Sequence, residues 1–268
     1  MAFARQELQP ASLSVCIITL NEADNLPRCL ASLSGLASQV VVVDSFSSDQ
    51  TQEIAKQAGA ELWEEDFLGY VRQKQCALEK ATGDWLLCLD ADEWLDTNLR
   101  RAIAEVLAAP RGEHVDGYQV NRRTFYLGDW MPLSRWSPEW RLRLVRRDGA
   151  YWTGVDPHDR LETAGPSARL PGRLCHFPYR NVSHHVAKVN HYTDIQAKNH
   201  LDSGSASSPV NLLVGLALEP LWWFLRSYIF HLGFLGGARG FIASSMGAFY
   251  IFLKHAKTWA AMYGKQLP

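Results

Sequence analysis

Three carboxylates within four residues, Asp90-Ala91-Asp92-Glu93, follow the apolar run Trp85-Leu86-Leu87-Cys88-Leu89. Hard cations such as Mg2+ and Mn2+ take oxygen ligands, and they commonly bridge one or two carboxylates to a substrate's phosphates. Ionised carboxylates are costly to bury without partners, so a strand leading into such a cluster should end at a solvated crevice. Open α/β sheets bind ligands there, outside the carboxyl ends of their strands. The residue types suit a metal-assisted phosphate site at Asp90 and Asp92. An acidic loop capping the next helix would use the same residues.

Two earlier runs end in the same manner. Leu13–Thr19 is β-branched and runs into Leu20-Asn21-Glu22; Val40–Val43 runs into Asp44-Ser45. Each is followed by a helix pattern. Asp24 or Asn25 can cap a helix carrying Leu26, Leu30 and Leu33. Ser47 and Gln50 have capping-box spacing before a helix through Ile54 and Ala55, closed by Gly59. Ala60–Trp63 reads as a short third strand and Gly69–Thr82 as a helix with Val71, Gln75 and Leu78 on one face. After the Trp85–Leu89 strand comes a helix from Asp96 carrying Leu99, Ile103, Val106 and Leu107. Four strand–helix alternations imply a doubly wound, mostly parallel α/β sheet. In such a sheet the strand-end groups Thr19/Asn21/Glu22, Asp44/Ser45 and Asp90/Asp92 converge along one edge. No G-x-G-x-x-G follows the first strand and no G-x-x-x-x-G-K-[ST] occurs, which excludes dinucleotide and P-loop sites. Gly233–Gly240 is glycine-rich but follows no strand-like run.

The segments S-V-C-I-I-T-L-N-E, V-V-V-V-D-S-F-S-S-D-Q-T and L-C-L-D-A-D-E-W-L, in this order and spacing, resemble family 2 glycosyltransferases with the GT-A fold. The resemblance covers residues 12–100 and extends more weakly beyond. L-G-Y-V-R-Q-K-Q-C-A-L, R-R-T-F-Y-L-G-D-W and the tail Ala238–Trp259 are similar to the bacterial branch that adds a glucose-type sugar to the lipopolysaccharide inner core. It implies a UDP-linked sugar donor, a divalent metal (Mg2+ or Mn2+) and displacement with inversion. Carried over by position, Thr19, Asn21 and Glu22 would line the nucleoside pocket and Asp44 would bind uracil or ribose. Arg72 or Lys74 would approach the base or diphosphate. Asp90 and Asp92 would be the D-x-D pair, Asp92 the direct metal ligand. His158 lies where that branch has a His beside an acid and would complete the metal site or bind a phosphate. An inverting transferase needs a carboxylate to deprotonate the acceptor hydroxyl. Glu139, in Trp136-Ser137-Pro138-Glu139-Trp140, is the candidate and Asp129 the alternative. The Glu-Asp pair and Q-x-x-R-W motif used elsewhere in the family are missing here.

Gly117–Arg123 and Trp140–Arg147 alternate as strands do, and the aromatic stretch Thr124–Ser137 between them could fold over a sugar. Arg122, Arg123, Arg135, Arg141, Arg143, Arg146 and Arg147 form a dense basic set suited to phosphate recognition. Gly204–Pro209 reads as a flexible joint dividing a catalytic domain, 1–203, from a helical, membrane-associating region, 204–268. There Leu221–Leu225, Tyr228–Phe230 and Gly240–Leu253 are apolar and aromatic. The longest uncharged run is shorter than the ~20 residues a spanning helix needs. With Arg226, Arg239, Lys254 and Lys257 interleaved, these segments read as helices lying on anionic lipid, or as a buried helix pair.

The chain has 268 residues and a formal net charge of −1. The balance is uneven: residues from Leu212 onward carry +4, the rest −5. Near-neutrality argues against a nucleic-acid partner. The five cysteines are scattered, with no C-x-x-C, and read as buried thiols in a reducing compartment. Met1–Leu8 has no basic region followed by an apolar run, the pattern of a secretion signal. The expected location is the cytoplasmic face of the inner membrane, with a glycolipid acceptor and a homo-oligomer left open. Rival classes are a sugar-phosphate nucleotidyltransferase and a non-catalytic membrane-bound scaffold of the same fold.

Overall fold

A computed structural model of the chain describes residues 10–109, 115–132, 134–202 and 209–263, with side chains in the last stretch described from Val214. The N-terminal Met1–Leu8 and most of the expected joint, Gly204–Ser208, lie outside these residues. Two compact units divide the chain. One holds the residues up to Arg122 together with Trp140–His176; the other holds Arg123–Glu139 and the residues from Phe177 onward.

In the first unit strands and helices alternate as the sequence implies: β1 (Leu13–Thr19), α1 (Leu26–Leu33), β2 (Gln39–Asp44), α2 (Thr51–Gln57), β3 (Glu61–Glu64), α3 (Tyr70–Glu79) and β4 (Trp85–Asp90). Along the chain there follow β5 (Glu93–Leu95), α4 (Thr97–Ala108), β6 (Gly117–Tyr126), β7 (Asp129–Trp130, in the second unit), β8 (Glu139–Arg146), β9 (Tyr151–Val155), β10 (His158–Glu162), β11 (Ser167–Arg169) and β12 (Leu174–His176). β3, β2, β1 and β4 lie side by side, all parallel. β8 then joins β4 antiparallel, and the order continues through β6 and β12 to β5. β9 and β10 form a separate hairpin.

The continuous apolar runs of β1, β2 and β4 have two faces to fill. Val15, Ile17, Val42, Leu87 and Leu89 pack with Leu26 and Cys29 of α1 and Leu99 and Ile103 of α4. Cys16, Val41, Val43, Leu86 and Cys88 pack on the other face with Ala77 and Leu78 of α3 and with Trp152. Each fully buried Val, Leu or Ile contributes about 1.5–3 kcal/mol, enough to fix a register whose one-residue slip would exchange the faces. The five thiols are free; Cys16, Cys29, Cys88 and Cys175 are buried and Cys76 is partly so.

Local signals met different fates. Asp96 caps α4, its carboxylate accepting the Leu99 N–H at 2.7 Å. The capping box at Ser47 does not form: α2 starts after Gln50, and the Ser47 hydroxyl donates to Asp44 instead. α3 is shorter than expected and turns Gln73, Lys74, Ala77 and Leu78 inward. Gly69, at φ +107, precedes it, and a Cβ there would collide with the Asp156 carboxylate, which accepts the Val71 N–H at 3.0 Å.

The second unit contains β7 paired with the last residues of β6. It continues with α5 (Val182–Asp202), α6 (Pro209–Leu225), a π-helical turn Arg226–Phe230, a 3-10 turn Gly233–Gly236 and α7 (Gly237–Tyr263). Gly233 and Gly240 approach backbone to backbone, so the glycine-rich stretch serves close packing between α7 and the turn before it. The aromatic stretch expected to fold over a sugar partly builds this unit's core. Tyr126 is fully buried, stands edge-on to Trp136 and Tyr179, and shares a 2.9 Å hydrogen bond with His185 Nδ1.

Candidate active site

The register of the parallel strands sets the site. Thr19 pairs with Asp44, and Ile18 with Asp90, so the carboxyl ends of β1, β2 and β4 lie on one edge of the sheet. Asp44 is fully buried. Its oxygens accept from the Thr19 hydroxyl (2.7 Å), the Ser47 N–H and hydroxyl (2.7 and 2.6 Å) and the Gln52 amide (2.9 Å). A carboxylate has about four lone-pair sites. With these bonds Asp44 organises the 45–52 loop. Asn21 sits in the left-handed region at φ +56 and ties the same loop down. Its N–H donates to Ser47 Oγ and its amide oxygen accepts the Ser48 N–H, each at 2.8 Å. Glu22 donates its N–H to Thr51 Oγ1 at 2.8 Å and accepts from the Asn25 amide at 2.8 Å.

At the end of β4 the charges are paired inside the protein. Lys74 Nζ lies 2.7 Å from Asp90 Oδ1 and 2.8 Å from Asp159 Oδ2, with the Trp152 ring 4.8 Å from the ammonium. Arg143 Nη2 lies 2.8 Å from Asp90 Oδ2 and 2.7 Å from Glu93 Oε1, and Arg122 reaches the same Glu93 oxygen at 3.2 Å. Burial pushes the Asp90 carboxyl up, but Lys74 and Arg143 outweigh it and hold the group well below the usual carboxylate range. Burial likewise opposes charge on Lys74 and Arg143, and the neighbouring carboxylates raise both above their ordinary values. Asp90 thus has a cation on each oxygen.

Asp92 is buried two residues on, with Oδ1 3.6 Å from His176 Nε2 on β12. The sequence reading gave this place to His158. His158 is exposed at the start of β10, and strand alternation turns its neighbour Asp159 inward to Lys74. Among the described residues no three His, Cys, Asp or Glu side chains gather to hold a cation unaided. The chemistry of Asp92 and His176, one carboxylate and one imidazole, fits Mn2+ or Mg2+ whose other positions are filled by phosphate and water. Arg72 is the alternative to Lys74 as the basic residue of the donor site. It is exposed on α3, and its spacing from Lys74 puts the two on opposite helix faces, so only Lys74 reaches the strand ends. Nothing in the spacing pointed to His176 or Asp159, and Arg143 was visible only as one of a set of seven arginines. Glu93 was visible within the acidic cluster, but its burial was not.

The two candidate bases belong to the second unit. Glu139 opens β8 and is partly buried. Asp129 is ion-paired with Arg239 at 3.0 Å. The Trp130 N–H and then Arg239 hold its carboxyl below the ordinary range. The arginines expected to recognise phosphate largely have partners. Arg146 stacks on Trp85 at 4.6 Å, Arg123 on Trp130 at 5.1 Å and Arg135 on Trp223 at 3.9 Å.

Residues 14–160 match the model of glycosyl transferase family 2. An uncharacterized glycosyltransferase of Rickettsia typhi is 31% identical over 259 residues, covering 91% of this chain and 86% of the relative. A lipopolysaccharide core biosynthesis glycosyltransferase, LpsC of Rhizobium meliloti, is 33% identical over 255 residues, 92% of each chain. Among solved structures, a mannosyltransferase from Pyrobaculum calidifontis in complex with GDP-Man and Mn2+ is similar over 97% of this chain and 89% of its own, with a TM-score of 0.53 and 15% identity. That likeness bears on the fold, a GT-A type sheet with a C-terminal helical region.

Proposed function

The chain belongs to glycosyl transferase family 2, and from that premise we propose that it moves a glucose-type hexose from a UDP-sugar to a lipopolysaccharide-core or related glycolipid, with inversion. The observation that carries the reading is the pairing of Asp92 with His176 beside an Asp90 already neutralised by Lys74 and Arg143. The 33% identity with a lipopolysaccharide-core enzyme supports the acceptor class.

In this reading Asp92 and His176 would hold Mg2+ or Mn2+, and the cation would supply positive charge for a departing diphosphate. Lys74, held by Asp90 and Asp159 at the same strand edge, is the basic side chain of the donor site. Thr19, Asn21 and Glu22, with the loop that Asp44 organises, line the nucleoside. Glu139 takes the proton of the acceptor hydroxyl as general base. Asp129 is the poorer base, because its donors stabilise the charged form.

Residues 204–268 serve as the membrane-associating region at the cytoplasmic face of the inner membrane. No described helix is long and apolar enough to cross a membrane. Support for surface attachment comes from the exposed Leu221, Trp222, Ile229, Phe230, Phe234 and Leu235, and from the lack of any acid between Leu221 and the last residue.

Asp92→Asn tests the assignment. Transfer, followed as UDP release, and metal-dependent UDP binding should both disappear while the melting temperature holds; undiminished turnover would overturn the site. Glu139→Gln should bind UDP-sugar normally and lose about 10²–10⁴-fold in transfer; an active variant would move the base elsewhere. Mass analysis of glycolipids from cells lacking the gene identifies the acceptor.

A further inference from the structure

The acidic cluster contains one carboxylate that no step of this reaction uses. Glu93 has no exposed surface. An apolar side chain of similar size would be easier to bury there, since a buried ion pair is by itself a weak source of stability. Its hydrogen bonds indicate what it does instead.

Glu93 Oε2 reaches back three residues and accepts the Asp90 N–H at 3.1 Å. Oε1 accepts from Arg143 Nη2 at 2.7 Å and from Arg122 Nη1 at 3.2 Å. The same Arg143 nitrogen donates to Asp90 Oδ2 at 2.8 Å. The turn from Asp90 to Glu93, with Asp92 inside it, is therefore pinned at both ends through one guanidinium. The backbone of Glu93 makes a second connection. β5 and β12 are three residues each, and in their antiparallel pairing Glu93 stands opposite His176. One residue thus fixes the turn that carries the carboxylate and faces, across the ladder, the residue that carries the imidazole.

We propose that Glu93 is the positioning residue of the metal-holding pair, setting Asp92 against His176 through its clamp on Asp90, Arg143 and Arg122. The proposal rests on the reading of Asp92 and His176 as metal-holding. Outer partners of this kind commonly change metal affinity by about 10–100-fold when removed. Glu93→Gln keeps the shape and the acceptor oxygen but leaves the two arginines short of one negative charge, so the turn loses its anchor.

The test is a Mn2+ titration of the whole chain in the presence of UDP, read by electron paramagnetic resonance, beside UDP binding measured in EDTA. Wild type, Glu93→Gln, Arg122→Gln and Asp92→Asn are compared. The expected result is a Mn2+ affinity reduced about 10–100-fold in Glu93→Gln, with metal-free UDP binding unchanged. Arg122→Gln, which removes only the longer contact, should move the same way by less, and it carries the test if Glu93→Gln fails to fold. Unchanged Mn2+ affinity in the folded variants would overturn the positioning role. So would a parallel loss of metal-free UDP binding, which marks general damage. If wild type itself takes up no Mn2+ with UDP, the metal reading falls and this proposal with it. If only Asp92→Asn loses Mn2+, the metal reading stands and the role of Glu93 does not.

Discussion

The end of β4 and the turn between α6 and α7 depart from the ordinary rule of burial in opposite directions. At the first, Lys74, Glu93 and Arg143 are buried, Asp90 is partly so, and the four neutralise one another. At the second, Ile229, Phe230, Phe234 and Leu235 stand in water, Phe230 at 67% exposure. Buried charge is expensive and exposed apolar surface is unfavourable, so neither arrangement is what folding alone selects. Each fits the proposed function, in which a diphosphate with its cation would meet one unit and a lipid surface the other. A departure that costs stability is thus more informative about function than a well-packed core.

Several substitutions put this contrast under strain. Arg143→Met should have the largest effect, about 3–5 kcal/mol of lost stability by denaturant titration, because it leaves the fully buried Glu93 with only its longer contact to Arg122 and takes one of the two cations from Asp90. A small loss would mean that the cluster is wetter than its geometry implies. In the other unit, Phe230→Ser combined with Leu235→Ser should weaken binding to anionic vesicles by about 2–4 kcal/mol, the transfer free energy of the exposed share of the two side chains, 67% and 55%. Its melting temperature in solution should hold or rise. A fall there would mean that these side chains pack on the protein and that the second region obeys the rule after all.

Acid separates the two units more gently. Burial, then His184 and Lys188, lowers the pKa of His185 to about 4. The unfolded chain takes up that proton nearer the ordinary value, so the stabilisation is complete above about pH 6.5 and declines toward pH 4, by of order 2 kcal/mol. Asp90 is depressed as well, but from the carboxylate range, so its contribution persists through that window and is lost only at lower pH. Thermal denaturation between pH 7 and 4 should therefore show a slope that His185→Gln flattens, with little change at the strand-end cluster.

The sheet was legible because its cause is local. Runs such as Val40–Val43 and Trp85–Leu89 are apolar on both faces, and their burial in two clusters on opposite sides follows directly. The strand-end acids were legible for the same reason, since the polar residue marks where the strand leaves the core. What remained hidden depends on contacts between distant parts of the chain. His176 meets Asp92 through a three-residue ladder, and Asp159 meets Lys74 from a separate hairpin. No periodicity encodes either meeting. His158 was favoured because the resembling branch has a His beside an acid at that place, yet neighbours on a strand point to opposite sides. Arg72 and Lys74 looked equivalent for want of knowing which face of α3 turned inward.

The enclosed thiols give the chain a built-in reporter. Cys16 and Cys88 pair in register across β1 and β4, Cys29 lies on α1 and Cys175 on β12. These are the elements that carry or flank Thr19, Asp90 and His176. A thiol-specific reagent meets Cys76 first. Each slower labelling event then times an opening of the framework itself, and a nucleotide that tightens the strand ends would lengthen the wait without touching a cysteine.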